Sequence, residues 1–136
     1  MSDETRMLAG ILLLALLTLV TVETGGLYMV KLWRSRDGAT DFQIGFARAG
    51  HAHAGVLLVL SLTALLYADT AGLSGAWNWL ARSGVPVAAI LMPAGFFAAS
   101  VGEGRKKPNG LIAVVYTGAV VLALGLGSLG IGLLTA

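Results

Sequence analysis

The sequence predicts an all-α integral membrane protein, a four-transmembrane-helix bundle with its N and C termini outside, and three observations carry that expectation. Of 136 residues, 57% are hydrophobic and only 12% are charged, against roughly 25% charged residues in a soluble domain. The mean hydropathy is +0.83, so the solvent that suits this surface is lipid. Apolar stretches near spanning length recur four times, with basic residues gathered in alternate connections between them. A chain of this length makes one domain, residues 1–136.

A helix needs about 20 mostly apolar residues to cross the hydrocarbon core. The first span is expected over about residues 7–33 (Met7 to Trp33), interrupted by Glu23. Its apolar run exceeds the roughly 7–15 residues of a cleaved signal segment, and Asp3 and Glu4 spoil a positive leader. The second span is expected over 44–67, with Arg48, His51 and His53 inside it. The third covers 85–101, and the fourth, uncharged, covers 111–134. Lys31, Arg34 and Arg36 fall in the first connection and Arg105, Lys106 and Lys107 in the third, whereas the second holds only Arg82. The positive-inside rule then places connections one and three in the cytoplasm and both termini outside, Arg6 being outvoted. The expected location is the bacterial inner membrane. Trp77 and Trp79 in the second connection suit an aromatic belt at headgroup depth, with Trp33 anchoring the other interface.

Composition also excludes. There is no cysteine, which removes disulfides, thiolate metal sites, Fe–S clusters and Cys nucleophiles. The net charge of +2 is small and its basic residues lie at membrane boundaries, so nucleic acid is not an expected partner. The stretch Gly125-Leu126-Gly127-Ser128-Leu129-Gly130 fits the spacing of a dinucleotide-binding turn. That spacing has meaning only between a strand and a helix, and here it lies inside a span. Ala123/Gly127 and Ser128/Gly132, each four apart, read instead as small-residue packing faces.

Ionisable groups within spans cost about 2.5–3.5 kcal/mol each and are either paired or functional. Glu23, Arg48, His51 and His53 are the four to account for. Glu23 lies ten residues before Trp33 and His53 nine after Ile44, which places both roughly 13–15 Å from the cytoplasmic boundary. By the same count Met92 and Pro93 in the third span, and Tyr116 and Thr117 in the fourth, come near that level. Pro93 cannot donate to the carbonyl of Ala89, so a kink and a freed acceptor are expected there. One site is thus expected from Glu23, His51 or His53, Met92, the Ala89 carbonyl and Tyr116. Positions 51 and 53 differ by about 200° around a helix, so a regular helix cannot turn both imidazoles to one ligand. The plain alternative is that each polar group only hydrogen-bonds a neighbouring helix, and that Arg48 snorkels to the interface.

The run Arg48-Ala49-Gly50-His51-Ala52-His53-Ala54-Gly55-Val56 resembles the His-Ala-His segment of small four-span proteins related to haem–copper oxidase subunit I. It is also similar to the His-rich helix of haem- and copper-containing membrane proteins linked to nitric oxide metabolism. The layout of the chain is similar too, although the motif itself is three residues. Those proteins continue with a polar residue and a leucine pair where this chain has Ala54-Gly55-Val56, and full oxidases need histidines on other helices that this chain lacks. The resemblance therefore implies a single haem b or transition metal, with His51 or His53 as an axial ligand and Met92 or a second subunit supplying the other. Arg48 and Glu23 join that expected set, Arg48 at the cofactor and Glu23 beside the metal. The layout is also similar to that of hydroxylaminobenzene mutase, without the acidic residue and Asn that follow the His in that family.

Three functions compete at this point. The first is a redox-related haem or metal protein with a buried Glu/His site. The second is a cofactor-free mutase- or isomerase-like enzyme on a small hydrophobic substrate, with Glu23, His53 and Tyr116 as its catalytic residues. The third is an accessory subunit of a larger membrane complex. The expected partners are the lipid bilayer and either further copies of the chain or another membrane subunit.

Overall fold

The computed structural model describes residues 1–14, 25–27, 29–31, 34 and 38–136, with the side chains of 13 and 14 excepted. Four helices carry names: α1 (Asp3–Leu14), α2 (Asp41–Ala68), α3 (Gly75–Ala99) and α4 (Ile112–Thr135). Residues 25–27 and 29–31 are also helical, and no strand occurs among the described residues. Three helices, α2, α3 and α4, are long and apolar enough to cross a membrane. At 1.5 Å per residue they measure about 36–42 Å, more than the ~30 Å hydrocarbon core.

The expectation of a four-span bundle with both termini outside is therefore corrected to three candidate spans among the described residues. The described helix at the start of the chain, α1, has twelve residues, short of the ~20 a crossing needs. Residues 15–24 of the expected first span, Glu23 included, lie outside the described residues, as does Trp33. Several described residues that precede α2 nevertheless lie beside it. Thr5 meets Leu65 and Asp69, Gly25 and Gly26 meet His51, and Met29 and Val30 border Ile44 and Arg48. Both chain ends stand by the α2–α3 turn, Ser2 on Asp69 and Ala136 beside Gly72.

The first turn of α2 is set by a capping box. The Thr40 hydroxyl accepts from the Gln43 N–H at 3.2 Å, and Gln43 Oε1 accepts from the Thr40 N–H at 3.1 Å. Gln43 Nε2 then donates to the carbonyls of Ser100 (3.0 Å) and Gly102 (2.8 Å), which ties the α3–α4 loop to this end of α2. Gln43→Ala is expected to cost about 1–2 kcal/mol through the cap and the freed carbonyls. Thermal unfolding in detergent checks this, and an unchanged midpoint would remove the role.

The second connection is shorter than the sequence suggests. Helix α3 begins at Gly75, not Val85, so Trp77 and Trp79 project from its first two turns and Arg82 lies within the helix. Pro86 suits the first turn of a helix, which is why the start of this span reads late. Yet α3 runs on through both Pro86 and Pro93 as one helix, because packing on both flanks holds it.

Helix α3 is the middle of the bundle, with α2 on one side and α4 on the other. Ala64, Ala68, Ala71, Ala81, Val85 and Leu129 form the core near the turn end. Leu57, Met92 and Val115 form a second core further along. Between α3 and α4 the spacing is set by glycine. A Cβ on Gly84 would lie 2.6 Å from the Gly125 Cα, one on Gly118 2.6 Å from Met92 Cγ, and one on Gly95 2.7 Å from Val115. Gly118, Gly125 and Gly132 recur every seven residues, a repeat that keeps one face of a helix on its neighbour. The expected Ala123/Gly127 face is corrected: Ala123 is exposed and Gly127 meets nothing within 4 Å. The other pair packs, Ser128 donating to the Trp77 carbonyl at 2.9 Å and Gly132 lying against Leu73. The Gly125–Gly130 stretch is helical throughout.

Candidate functional site

The two histidines of α2 face different surroundings, as their spacing requires. The nearly middle position of His53, twelve residues into a 28-residue helix, puts it about 18 Å from the helix start. Its ring packs tilted on Phe96 of α3 with centroids 4.9 Å apart. Gly50, one turn earlier, makes room for this approach, since a Cβ there would sit 3.3 Å from Phe96 Cβ and 3.0 Å from the Phe97 ring. His53 Nδ1 lies 2.7 Å from the Ala49 carbonyl. A carbonyl can only accept, so Nδ1 carries the proton and Nε2 is left as a lone-pair donor.

Met92 of α3 is 8% exposed and borders the same cavity as His53. That cavity has a volume of about 300 Å³ and is also lined by Ala52, Val56, Leu57 and Leu122. It is almost wholly apolar, so the imidazole is its polar feature. No hydrogen-bond partner for Nε2 occurs among the described residues.

The remaining expected site residues do not join this cavity. His51 faces Gly25 and Gly26 and borders a separate groove along α2. Arg48 is exposed beside Met29 and Val30. Tyr116 is 65% exposed on α4, away from Met92, while Thr117 merely donates back to the Ala113 carbonyl at 3.0 Å. Glu23 lies outside the described residues. Among the described residues no three His, Cys, Asp or Glu side chains gather to hold a metal ion.

A second polar cluster, at the turn end, was not legible as a site in the sequence. Arg82 has a side chain only 10% exposed, and its Nη2 donates to Asp69 Oδ1 at 2.9 Å. Its Nε donates to Asn78 Oδ1 at 2.9 Å and lies 3.5 Å from Glu4 Oε2. Its Nη1 donates to the hydroxyl of Thr5, which is fully buried. Asp69 in turn accepts from the Thr5 hydroxyl (2.6 Å), the Ser2 hydroxyl (2.8 Å) and the Ser2 N–H (2.8 Å). Those hydrogen bonds, Thr5 first, then the Ser2 N–H, hold the Asp69 carboxyl far below the usual carboxylate range against the opposing effect of burial, with Arg82 adding to them. The guanidinium is thus spent on protein partners, and the cluster clasps the N-terminal segment to α2 and α3. The signal that could have revealed it was the stretch Ala76–Ala81, apolar but for Asn78 four residues before Arg82, which continues a helix rather than a loop.

Comparison with protein-family models, with curated proteins and with solved structures finds no match.

Proposed function

We propose that this chain is a membrane-embedded haem- or metal-binding protein whose ligands are His53 of α2 and Met92 of α3. The observation that supports it is the orientation of His53: its Nδ1 is engaged by the Ala49 carbonyl, and its ring borders the cavity that Met92 shares. A ligating histidine characteristically donates its other ring N–H to a carbonyl, which fixes the tautomer and raises the basicity of the free nitrogen. A bare lone pair at mid-membrane is otherwise an unfavourable thing to keep. Imidazole with thioether suits haem iron or a soft ion such as cuprous copper, and does not suit calcium or magnesium, which want oxygen ligands. The cavity of about 300 Å³ has room for an ion between the two side chains, whereas a haem macrocycle is larger than this volume and would extend beyond it. A bound centre of this kind would supply one-electron redox chemistry. The resemblance to proteins related to haem–copper oxidase subunit I, and a bacterial inner membrane as the location, belong to the same proposal.

The cofactor-free acid–base reading has less support, because Tyr116 is exposed and does not line the His53 cavity. An accessory role draws only on outward apolar residues of α3 and α4 such as Ile90, Val120 and Ile131, which lipid covers equally well.

The test is the visible spectrum of protein purified in detergent from haem-replete cells, oxidised and then reduced with dithionite, with copper and iron analysis alongside. The expected result is a Soret band with α and β bands on reduction, or stoichiometric copper. His53→Ala should abolish it, Met92→Leu should shift the band or weaken retention, and His51→Ala should leave it unchanged. Folded wild-type protein with a flat spectrum and no transition metal would overturn the proposal.

A further inference from the structure

No carboxylate, lysine or arginine borders the cavity that His53 and Met92 share, whose other walls are Ala52, Val56, Leu57 and Leu122. Moving an ion out of water is costly unless an opposite charge meets it, and this lining offers none. The cost rises with the square of the charge, so a divalent ion is penalised about four times as heavily as a monovalent one. The ring of Phe96 lies against the imidazole with centroids 4.9 Å apart and packs on the Leu57, Met92 and Val115 cluster. Phe46 meets Phe96 edge-on at 5.5 Å. Both donors are therefore backed by hydrocarbon. They are one imidazole nitrogen, its ring held by the Ala49 carbonyl, and one thioether.

That donor set separates the centres by chemistry. Zinc takes four ligands in structural sites, and three with a water in catalytic ones. Cupric copper prefers a tetragonal set of nitrogen and oxygen, whereas cuprous copper is selected by soft ligands, thioether among them. Cuprous copper is also monovalent and is satisfied by two ligands. Haem iron accepts the same His and Met pair, but its macrocycle is larger than the cavity of about 300 Å³. Its two propionates would also need cationic or polar partners, which this lining does not supply.

On the reading that His53 and Met92 are the ligands, we propose that the site is specific for one cuprous ion. The ion is held between His53 Nε2 and the Met92 thioether, with Phe96 behind the imidazole, and the site takes neither haem nor a divalent ion. Silver, of the same charge and also soft, binds alike. Binding breaks no covalent bond and releases no proton, because Nδ1 keeps its hydrogen and a thioether has none to lose. The ion enters and stays as Cu(I).

Anaerobic titration of the full chain in detergent with cuprous ion, against the chromophoric chelator bathocuproine disulfonate, tests this. One ion per chain should be withdrawn from the chelator. Silver should compete for it, and zinc and cupric ions should not. X-ray absorption should show one sulfur at the copper, lost in Met92→Leu, a swap that conserves volume. His53→Ala and Met92→Leu should each weaken binding by more than about a hundredfold, since even residues that only orient a ligand are worth about 10–100-fold. His53→Gln serves if His53→Ala fails to fold. His51→Ala, at a residue facing Gly25 and Gly26, should bind as wild type does. A Soret band that His53→Ala abolishes, or zinc bound as tightly as cuprous copper and lost in His53→Ala, would overturn the proposal and leave His53 as a ligand. Cuprous binding unchanged in both ligand variants would overturn it too. Folded wild-type protein that takes up no cuprous ion, zinc or haem would remove the ligand reading itself, and the proposal with it.

Discussion

Arg82→Ala is expected to destabilise the protein by about 3–5 kcal/mol, the usual cost of removing one member of a mostly buried ion pair. The reason is what stays behind. Asp69, with a side chain 17% exposed, would keep its charge without the guanidinium, and the buried Thr5 hydroxyl and Asn78 would lose a shared donor. Asp69→Asn should cost nearly as much, because it leaves the mostly buried Arg82 of α3 without its carboxylate. The double change Arg82→Leu with Asp69→Leu should recover most of the loss, since neither charge then needs a partner. Unfolding by denaturant in detergent micelles measures all three, and single variants within 1 kcal/mol of wild type would show that the clasp holds little.

The same pair has a pH signature with a definite sign. The folded Asp69 carboxyl titrates far below its ordinary range, and in the unfolded chain it titrates near the usual value of about 3.9. Its contribution is therefore complete above about pH 4 and is lost progressively as the pH falls below that towards the folded value. Stability should decline on acidification below pH 4 in wild type, and this part of the decline should be absent in Asp69→Asn. Equal slopes in both would remove Asp69 from the acid transition.

Gly84→Ala is expected to cost about 1–3 kcal/mol by overpacking, although alanine is the better helix former. The added methyl would meet backbone rather than flexible side chain: the Gly125 Cα at 2.6 Å, the Gly125 N at 3.1 Å and the Val121 carbonyl at 3.1 Å. Neither helix can yield locally, so α3 and α4 must separate along their length. Gly125→Ala meets the Gly84 Cα at 2.9 Å and should behave alike. Gly127→Ala and Gly130→Ala, with nothing within 4 Å, are the controls and should be neutral or stabilising by up to about 1 kcal/mol. Thermal aggregation midpoints would rank the four, and equal effects at positions 84 and 127 would sink the account of a glycine-set crossing.

How much of this could be seen in the sequence differs from residue to residue. The separation of His51 from His53 follows from a two-residue step on a helix, and the structure places them on different neighbours. Met92 shares a cavity with His53, near the level its count along the third apolar stretch gives. Tyr116 does not, because equal depth says nothing of which way a helix is rotated, and the glycine face of α4 turns Tyr116 outward. Arg82 falls in the second connection by the sequence pattern, because the apolar stretch of the third span starts after it and Trp77 and Trp79 suit a headgroup-depth belt. Apart from Asn78 one turn earlier, its partners Asp69, Thr5 and Glu4 lie in other segments of the chain and leave no local pattern.

By itself the sequence determined that this is a helical chain suited to lipid, since composition and apolar run length act through solvation and need no knowledge of neighbours. The tertiary structure alone decided that three helices of spanning length are described rather than four. It also decided that the glycines at 84, 95, 118 and 125 rather than the 123/127 pair set the α3–α4 approach, and that Arg82 closes on Asp69. Those outcomes depend on the rotation of each helix about its axis and on contacts between residues far apart in the chain. Both are set by side-chain volumes meeting across an interface, information that no single segment carries.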